Sequence, residues 1–148
     1  MIALADAEAT RALGARLAAR VRGGDAIALV GDLGAGKTTF VAGFAAALGA
    51  QASSPTFSLV NEYEARVLIW HVDLYRLERA SELPELGLDE LAGDPRGVLL
   101  VEWADRFDVL PRDHLQLVLA HAGDTRTVTA TGTGPRGHEL AAHLDPGA

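Results

Sequence analysis

The sequence contains no cysteine. Disulfides and thiolate metal sites are therefore excluded, and the chain suits a reducing compartment. Lysine is almost as scarce: among 13 lysines and arginines, only Lys37 is a lysine. A chain that gives every other basic role to arginine and keeps one ammonium points to chemistry that a planar guanidinium cannot perform. Basic excess is missing too, with a net charge of −7. A protein that grips nucleic acid chiefly through its phosphates carries a basic field, so direct binding of that kind is not expected. Arg11, Arg16, Arg20 and Arg22 do cluster near the start. A solvated helix face is the preferred reading of that cluster, and a local docking site for an acidic partner is the minor one. Val41 to Ala50 is the longest stretch without a polar residue, well short of the roughly 20 residues needed to span a bilayer. The opening "MIALADAEAT" has no basic segment followed by an apolar one, so no secretory signal is expected. These absences predict a cytoplasmic protein with no membrane association.

What is present reads as one domain over residues 1–148. A chain of this size buries about 68–70% of its unfolded surface. Leu13, Leu17 and Val21 recur at four-residue steps before Gly23-Gly24, which predicts an amphipathic helix stopped by glycine. Ala26 to Val30 reads as a buried strand, Gly31 to Gly36 as a glycine-rich loop, and Thr38 to Leu48 as a helix ended by Gly49. Phe57 to Tyr63 and Val67 to Asp73 read as an antiparallel pair. Arg79 to Leu91 predicts one or two short helices broken at Pro84 and Gly87, followed by a strand over Val98 to Glu102. Leu115 to Ala120 and Thr127 to Ala130 flank "HAGD" as a hairpin. "GTGPRG" reads as a turn and Glu139 to Leu144 as a short terminal helix. The β-α-β order predicts an α/β fold, and the hairpins make its helix-flanked sheet mixed parallel and antiparallel.

Gly31-Asp-Leu-Gly-Ala-Gly36-Lys37-Thr38 fits G-x-x-x-x-G-K-[ST]. Roughly one chain in a thousand of this composition would match by accident, and here a strand precedes the loop and a helix follows. Glycines allow the tight turn and aim backbone N–H groups inward. The helix start adds its positive end. Lys37 offers a compact charge to the β- and γ-phosphates, and Thr38 a hydroxyl to Mg²⁺. This predicts a single-domain fold like those of P-loop NTPases. The N-K-x-D loop of small GTPases would need a second lysine, which makes ATP the expected nucleotide.

Mg²⁺ favours one or two carboxylates besides phosphates and water. Ligands of open α/β sheets bind beyond the carboxyl ends of strands. Glu102 ends the apolar run of "GVLLVEWADRF" and is expected to face the metal or the attacking water. Its structural alternative is a local pair with Arg106. Asp73 ends "WHVD" in the same way and shares a strand face with His71. Asp73 is the chosen candidate of the two, with turn capping as its alternative, and His71 is read as a core or edge histidine. In "SSPTF", Ser54 and Thr56 could reach Mg²⁺ or the γ-phosphate, or the segment could be an ordinary proline turn.

"GDLGAGKTTF", "SSPTFSLVNEY", "HVDLYRL", "ELGLDE" and "VEWADR" stand in this order and spacing. Together they resemble the TsaE (YjeE) family, whose members supply the ATPase subunit for bacterial synthesis of N6-threonylcarbamoyladenosine (t6A) in tRNA. The similarity runs from the first helix to about Phe107. It implies a compact P-loop fold with a mixed sheet that binds ATP and Mg²⁺. It also implies docking on a TsaD–TsaB pair that handles the tRNA, so this chain would meet tRNA only indirectly and be monomeric when isolated. Residue by residue, Gly34, Ala35, Gly36, Lys37, Thr38 and Thr39 match the family's phosphate loop, which Gly31 opens, with Thr38 as magnesium ligand. Asp73 matches the aspartate of its H-x-D-L-Y-R motif and Glu102 the metal-binding glutamate of its V-E-W motif. Thr10 matches a threonine near its adenine site, and Ser54 to Phe57 its switch-like loop. On this reading Lys37, Asp73 and Glu102 carry the catalysis. The rival readings are a small-molecule kinase and a nucleotide-gated binding module.

Overall fold

The apolar run Ala26–Val30 becomes strand β2, in the middle of a seven-stranded sheet. The computed structural model describes residues 1–50, 60–75 and 77–146. The other strands are β1 (Ile2–Leu4), β3 (Val60–Tyr63), β4 (Leu68–Asp73), β5 (Gly97–Glu102), β6 (His114–Ala122) and β7 (Thr125–Thr133). The helices are α1 (Ala7–Ala18), α2 (Lys37–Ala47), α3 (Leu88–Ala92) and α4 (Gly134–Leu144). The strand order is β1-β7-β6-β2-β5-β4-β3. Strands β6, β2, β5 and β4 are parallel, whereas β7, β1 and β3 pair antiparallel towards the two edges. The expected mixed sheet is therefore present.

Burial explains why the centre reads as continuous apolar runs. All six residues of β5 are buried, as expected for a parallel strand covered on both faces. Leu13, Leu17, Phe40, Phe44 and Leu140, from α1, α2 and α4, pack on one face against Ile27, Leu29, Leu100 and Leu117. On the other face Trp70, Val72, Leu99 and Val101 meet Leu74, Leu77 and Leu88. Strands β6 and β7 instead alternate. Leu115, Leu117, Val128 and Ala130 are buried, while Thr129 and Thr131 on the opposite face are exposed.

Helix α1 begins at Asp6, whose Oδ1 accepts the N–H of Ala9 at 2.8 Å, a cap worth about 1 kcal/mol. It ends at Ala18, ahead of the glycines, and Val21 is buried beyond the helix. The chain must already be turning into β2 there, and Asp25 Oδ2 accepts the N–H of Arg22 at 2.9 Å to hold that turn. Helices α1 and α2 cross very closely. A side-chain carbon on Gly43 would stand 2.2 Å from the carbonyl oxygen of Arg11, and one on Gly14 would stand 2.4 Å from that of Phe40. Glycine is required at both places, and the contact fixes the start of α2 relative to α1.

Two sequence expectations change, and one strand was not expected. Pro84 lies inside a 3₁₀ helix, Ala80–Leu86, and the break falls at Gly87 alone, whose φ is 67°. In "GTGPRG", Gly132 and Thr133 finish β7 and the remainder opens α4. The carboxylate of Asp113 accepts the N–H groups of Arg136 at 3.1 Å and Gly137 at 2.7 Å, so a distant residue caps a helix that locally resembles a turn. Strand β1, too short to signal itself, pairs with β7. Residues Ser54 to Phe57 lie outside the described residues, as do 58 and 59 of the first predicted hairpin strand. Among the described residues no helix is long and apolar enough to cross a membrane.

Candidate functional site

The loop between β2 and α2 places the first group of candidates. Gly36 has φ 110° and no side-chain cap precedes α2, so the first amides of that helix are left to a ligand or to water. No acidic residue occupies the first turn of α2. An uncapped helix start whose own first turn carries no carboxylate suits an anion. Ala35, fully buried, anchors the loop from below. Lys37 is 6% exposed. Its Nζ donates to the carbonyl of Gly31 and, at 3.0 Å, to that of Asp32. Burial pushes the Lys37 ammonium below its ordinary value, while Glu102, Asp73, Asp32 and Asp105 oppose that shift.

The strand register brings the carboxylates to the same place. Glu102 lies beside Leu29 of β2 and also beside Asp73 of β4. Both carboxylates thus end adjacent parallel strands next to the start of the phosphate loop. Two anions side by side need positive charge nearby, and Lys37 feels both. Asp73 Oδ1 also accepts the N–H of Tyr75 at 2.9 Å, so its turn-capping reading holds as well. The proposed local pair of Glu102 with Arg106 does not form. Arg106 donates instead to the carbonyls of Leu74, at 3.0 Å, and Tyr75. Glu102, 4% exposed, meets His71, with Nε2 and Oε2 2.5 Å apart. His71 is thus buried, as the core reading expected, and its partner is Glu102.

A cleft of about 230 Å³ opens between these elements, lined by Lys37, Thr38, Asp73, Glu102, Tyr75 and Trp103 among others. A second, of about 150 Å³, lies across Gly34, Gly36 and Thr39, and includes Thr10 and Arg126. Thr10 is buried, and a carbon on Gly36 would stand 3.5 Å from its methyl group. A larger cavity of about 430 Å³ against Leu83, Leu88 and Val109 contains none of the candidate residues. Convergent polar groups, not volume, therefore locate the site.

Sequence reasoning passed over four contributors. Trp103 has φ 59°, a left-handed conformation that costs roughly 1–2 kcal/mol. The turn lays its indole 4.2 Å over Lys37 Nζ and 4.9 Å from the ring of Tyr75. His121 Nε2 lies 3.3 Å from the carbonyl of Leu33, and Arg126 Nε donates to that of Gly34 at 3.2 Å. Both come from the β6–β7 hairpin, so only topology brings them to the phosphate loop. Trp103 adjoins Glu102 in the sequence, and that adjacency was the one available signal.

Among the described residues no group of three or more His, Asp or Glu side chains is arranged to hold a metal. The donors present are the Thr38 hydroxyl and the Asp73 and Glu102 carboxylates. An all-oxygen set with few protein ligands suits Mg²⁺, which retains water and shares substrate phosphates.

A protein-family model described as "Threonylcarbamoyl adenosine biosynthesis protein TsaE" matches residues 4–128. The chain belongs to the TsaE family. A TsaE from Bacillus subtilis, described as a tRNA threonylcarbamoyladenosine biosynthesis protein, is 46% identical over 93% of this chain and 88% of its own length. The TsaE protein of a Nostoc species is 40% identical over 83% of this chain and 79% of its own. The fold also has a solved counterpart. Crystalline Bacillus subtilis YdiB superposes with a TM-score of 0.76 at 38% identity, covering 95% of this chain and 90% of that one. The family match runs from the end of β1 into β7, and with it both clefts.

Proposed function

We propose that the chain is a Mg²⁺-dependent ATPase serving tRNA threonylcarbamoyladenosine biosynthesis in the cytoplasm, together with TsaD- and TsaB-like partners. One observation carries the reading: Lys37, Thr38, Asp73 and Glu102, from three separate elements, line a single cleft at the uncapped start of α2. Family membership directs that chemistry to t6A formation.

In this reading the backbone of Gly34 to Thr39 receives the phosphates, and Lys37 leaves the carbonyls of Gly31 and Asp32 to meet them. The Thr38 hydroxyl and the Asp73 and Glu102 carboxylates hold Mg²⁺. When bound, the ion neutralises phosphate charge that develops in the transition state. One of the two carboxylates would also orient the attacking water. Thr10 and Thr39, in the second cleft, face the nucleoside.

The test is product analysis with Mg-ATP. Free phosphate, with no phosphorylated small molecule, supports an ATPase. A phosphorylated metabolite would instead indicate a kinase, and binding without turnover a nucleotide-gated module. Recovery of TsaD and TsaB with the full chain from its native cell tests the partner assignment.

A further inference from the structure

The interior of the sheet holds one polar contact that the proposed chemistry does not use. His71 and Glu102 are 2% and 4% exposed. On β4 the residues Ile69, His71 and Asp73 alternate onto one face. On β5 the matching positions are Val98, Leu100 and Glu102, in register with them. His71 therefore sits one pleat beneath Asp73 and diagonal to Glu102. A carboxylate can only accept, so Nε2 carries the proton of the 2.5 Å contact. Among the described residues the other ring nitrogen, Nδ1, is buried without a hydrogen-bond partner. The polar contact of the ring among those residues is with Glu102. Tyr63, 6.2 Å between ring centroids, flanks it, and Ile69 and Leu100 close the apolar surroundings.

A glutamate has three rotatable side-chain bonds and, at a strand end facing a cleft, several poses. An imidazole seated in apolar packing removes that freedom by holding one carboxylate oxygen. Glu102 also lines the cleft that Thr38 and Lys37 line. We infer that His71 is the positioning residue of Glu102, setting the carboxylate for its work on the magnesium–nucleotide complex. The inference rests on the proposed nucleotide site. Partners that orient a ligating side chain in this way typically contribute about 10–100-fold to metal affinity or activity.

The test compares full-length wild type with His71→Leu, His71→Gln, Glu102→Gln and the double variant His71→Leu/Glu102→Gln. Binding of a non-hydrolysable ATP analogue is measured by calorimetry with and without Mg²⁺, beside thermal unfolding and phosphate release. His71→Leu is expected to leave metal-free analogue affinity near wild type and to weaken the Mg²⁺-dependent gain by about 10-fold or more. His71→Gln should recover much of that gain, because its amide N–H can reach the same oxygen. In the Glu102→Gln background, His71→Leu should cost little further, since the group it positions is already altered. Folded His71→Leu with the wild-type Mg²⁺ response would overturn the inference, and so would equal losses in the Leu and Gln variants. If His71→Leu fails to fold, the His71→Gln response decides: a Mg²⁺-dependent gain near wild type supports the inference, and a loss equal to that of Glu102→Gln overturns it. Failure of the nucleotide site itself would look different, because wild type would then bind no analogue at all.

Discussion

The indole of Trp103 lies over the ammonium of Lys37, 4.2 Å from ring centroid to nitrogen. The single lysine of the chain is thus held by an aromatic face and two loop carbonyls at once. Such a site suits a compact ammonium and leaves no room for a planar fork. Lys37→Ala should abolish turnover and weaken nucleotide binding. Lys37→Arg should fail as well. Near-normal phosphate release by the arginine variant would defeat the proposed role of the loop.

The same burial makes Lys37 a cost to the nucleotide-free fold. Its pKa is lowered from the ordinary 10.5, chiefly by desolvation. Between the lowered folded value and 10.5 the unfolded chain binds more protons, so stability rises with pH in that window. The cost is full below the folded value and disappears above the ordinary one. Lys37→Met should therefore unfold at a higher temperature than wild type near neutrality. The two melting curves should converge as pH approaches the lysine range, and thermal scans across alkaline buffers check this.

Glu102→Gln separates binding from chemistry. Lys37 and the loop amides remain, so analogue affinity should stay substantial while hydrolysis falls by about 10²–10⁴-fold. Calorimetry beside phosphate release measures both. Unchanged hydrolysis would reduce Glu102 to a buried partner of His71.

Isolated turnover should be slow and rise with TsaD and TsaB. Leu33 and Tyr75, at the mouth of the cleft, are 66% and 50% exposed. Arg106 is engaged by the carbonyls of Leu74 and Tyr75, and so is not free to reach a phosphate. A docked partner would exclude water and complete the charge clamp. Steady-state phosphate release at fixed Mg-ATP, with and without the pair, tests this. A fast isolated rate indifferent to the pair would indicate a self-sufficient enzyme.

Asp25 and Arg136 join the start of β2 to the start of α4 through two hydrogen bonds of 2.9 Å each. Their side chains are 4% and 16% exposed. Removing one partner from a pair this buried leaves an uncompensated charge. Arg136→Met should therefore destabilise by about 3 kcal/mol. The loss should appear in chemical denaturation, with analogue affinity unchanged in the folded fraction.

Sequence alone determined the glycine-rich loop motif, because it is contiguous: its glycines, lysine and threonine stand together between one strand and one helix. It also determined β2 and β5, since strands covered on both faces must be apolar throughout. The strand-end positions of Asp73 and Glu102 were legible for the same reason. Their convergence was not, because it depends on strand order and register, which place Glu102 between Leu29 and Asp73. Tertiary structure alone decided that His71 meets Glu102, since an isolated histidine on an apolar strand face gives no sign of a carboxylate one strand away. It likewise decided the turn of "GTGPRG" into a helix, through the carboxylate of Asp113. In each case the deciding partner is remote in the chain, where no local pattern announces it.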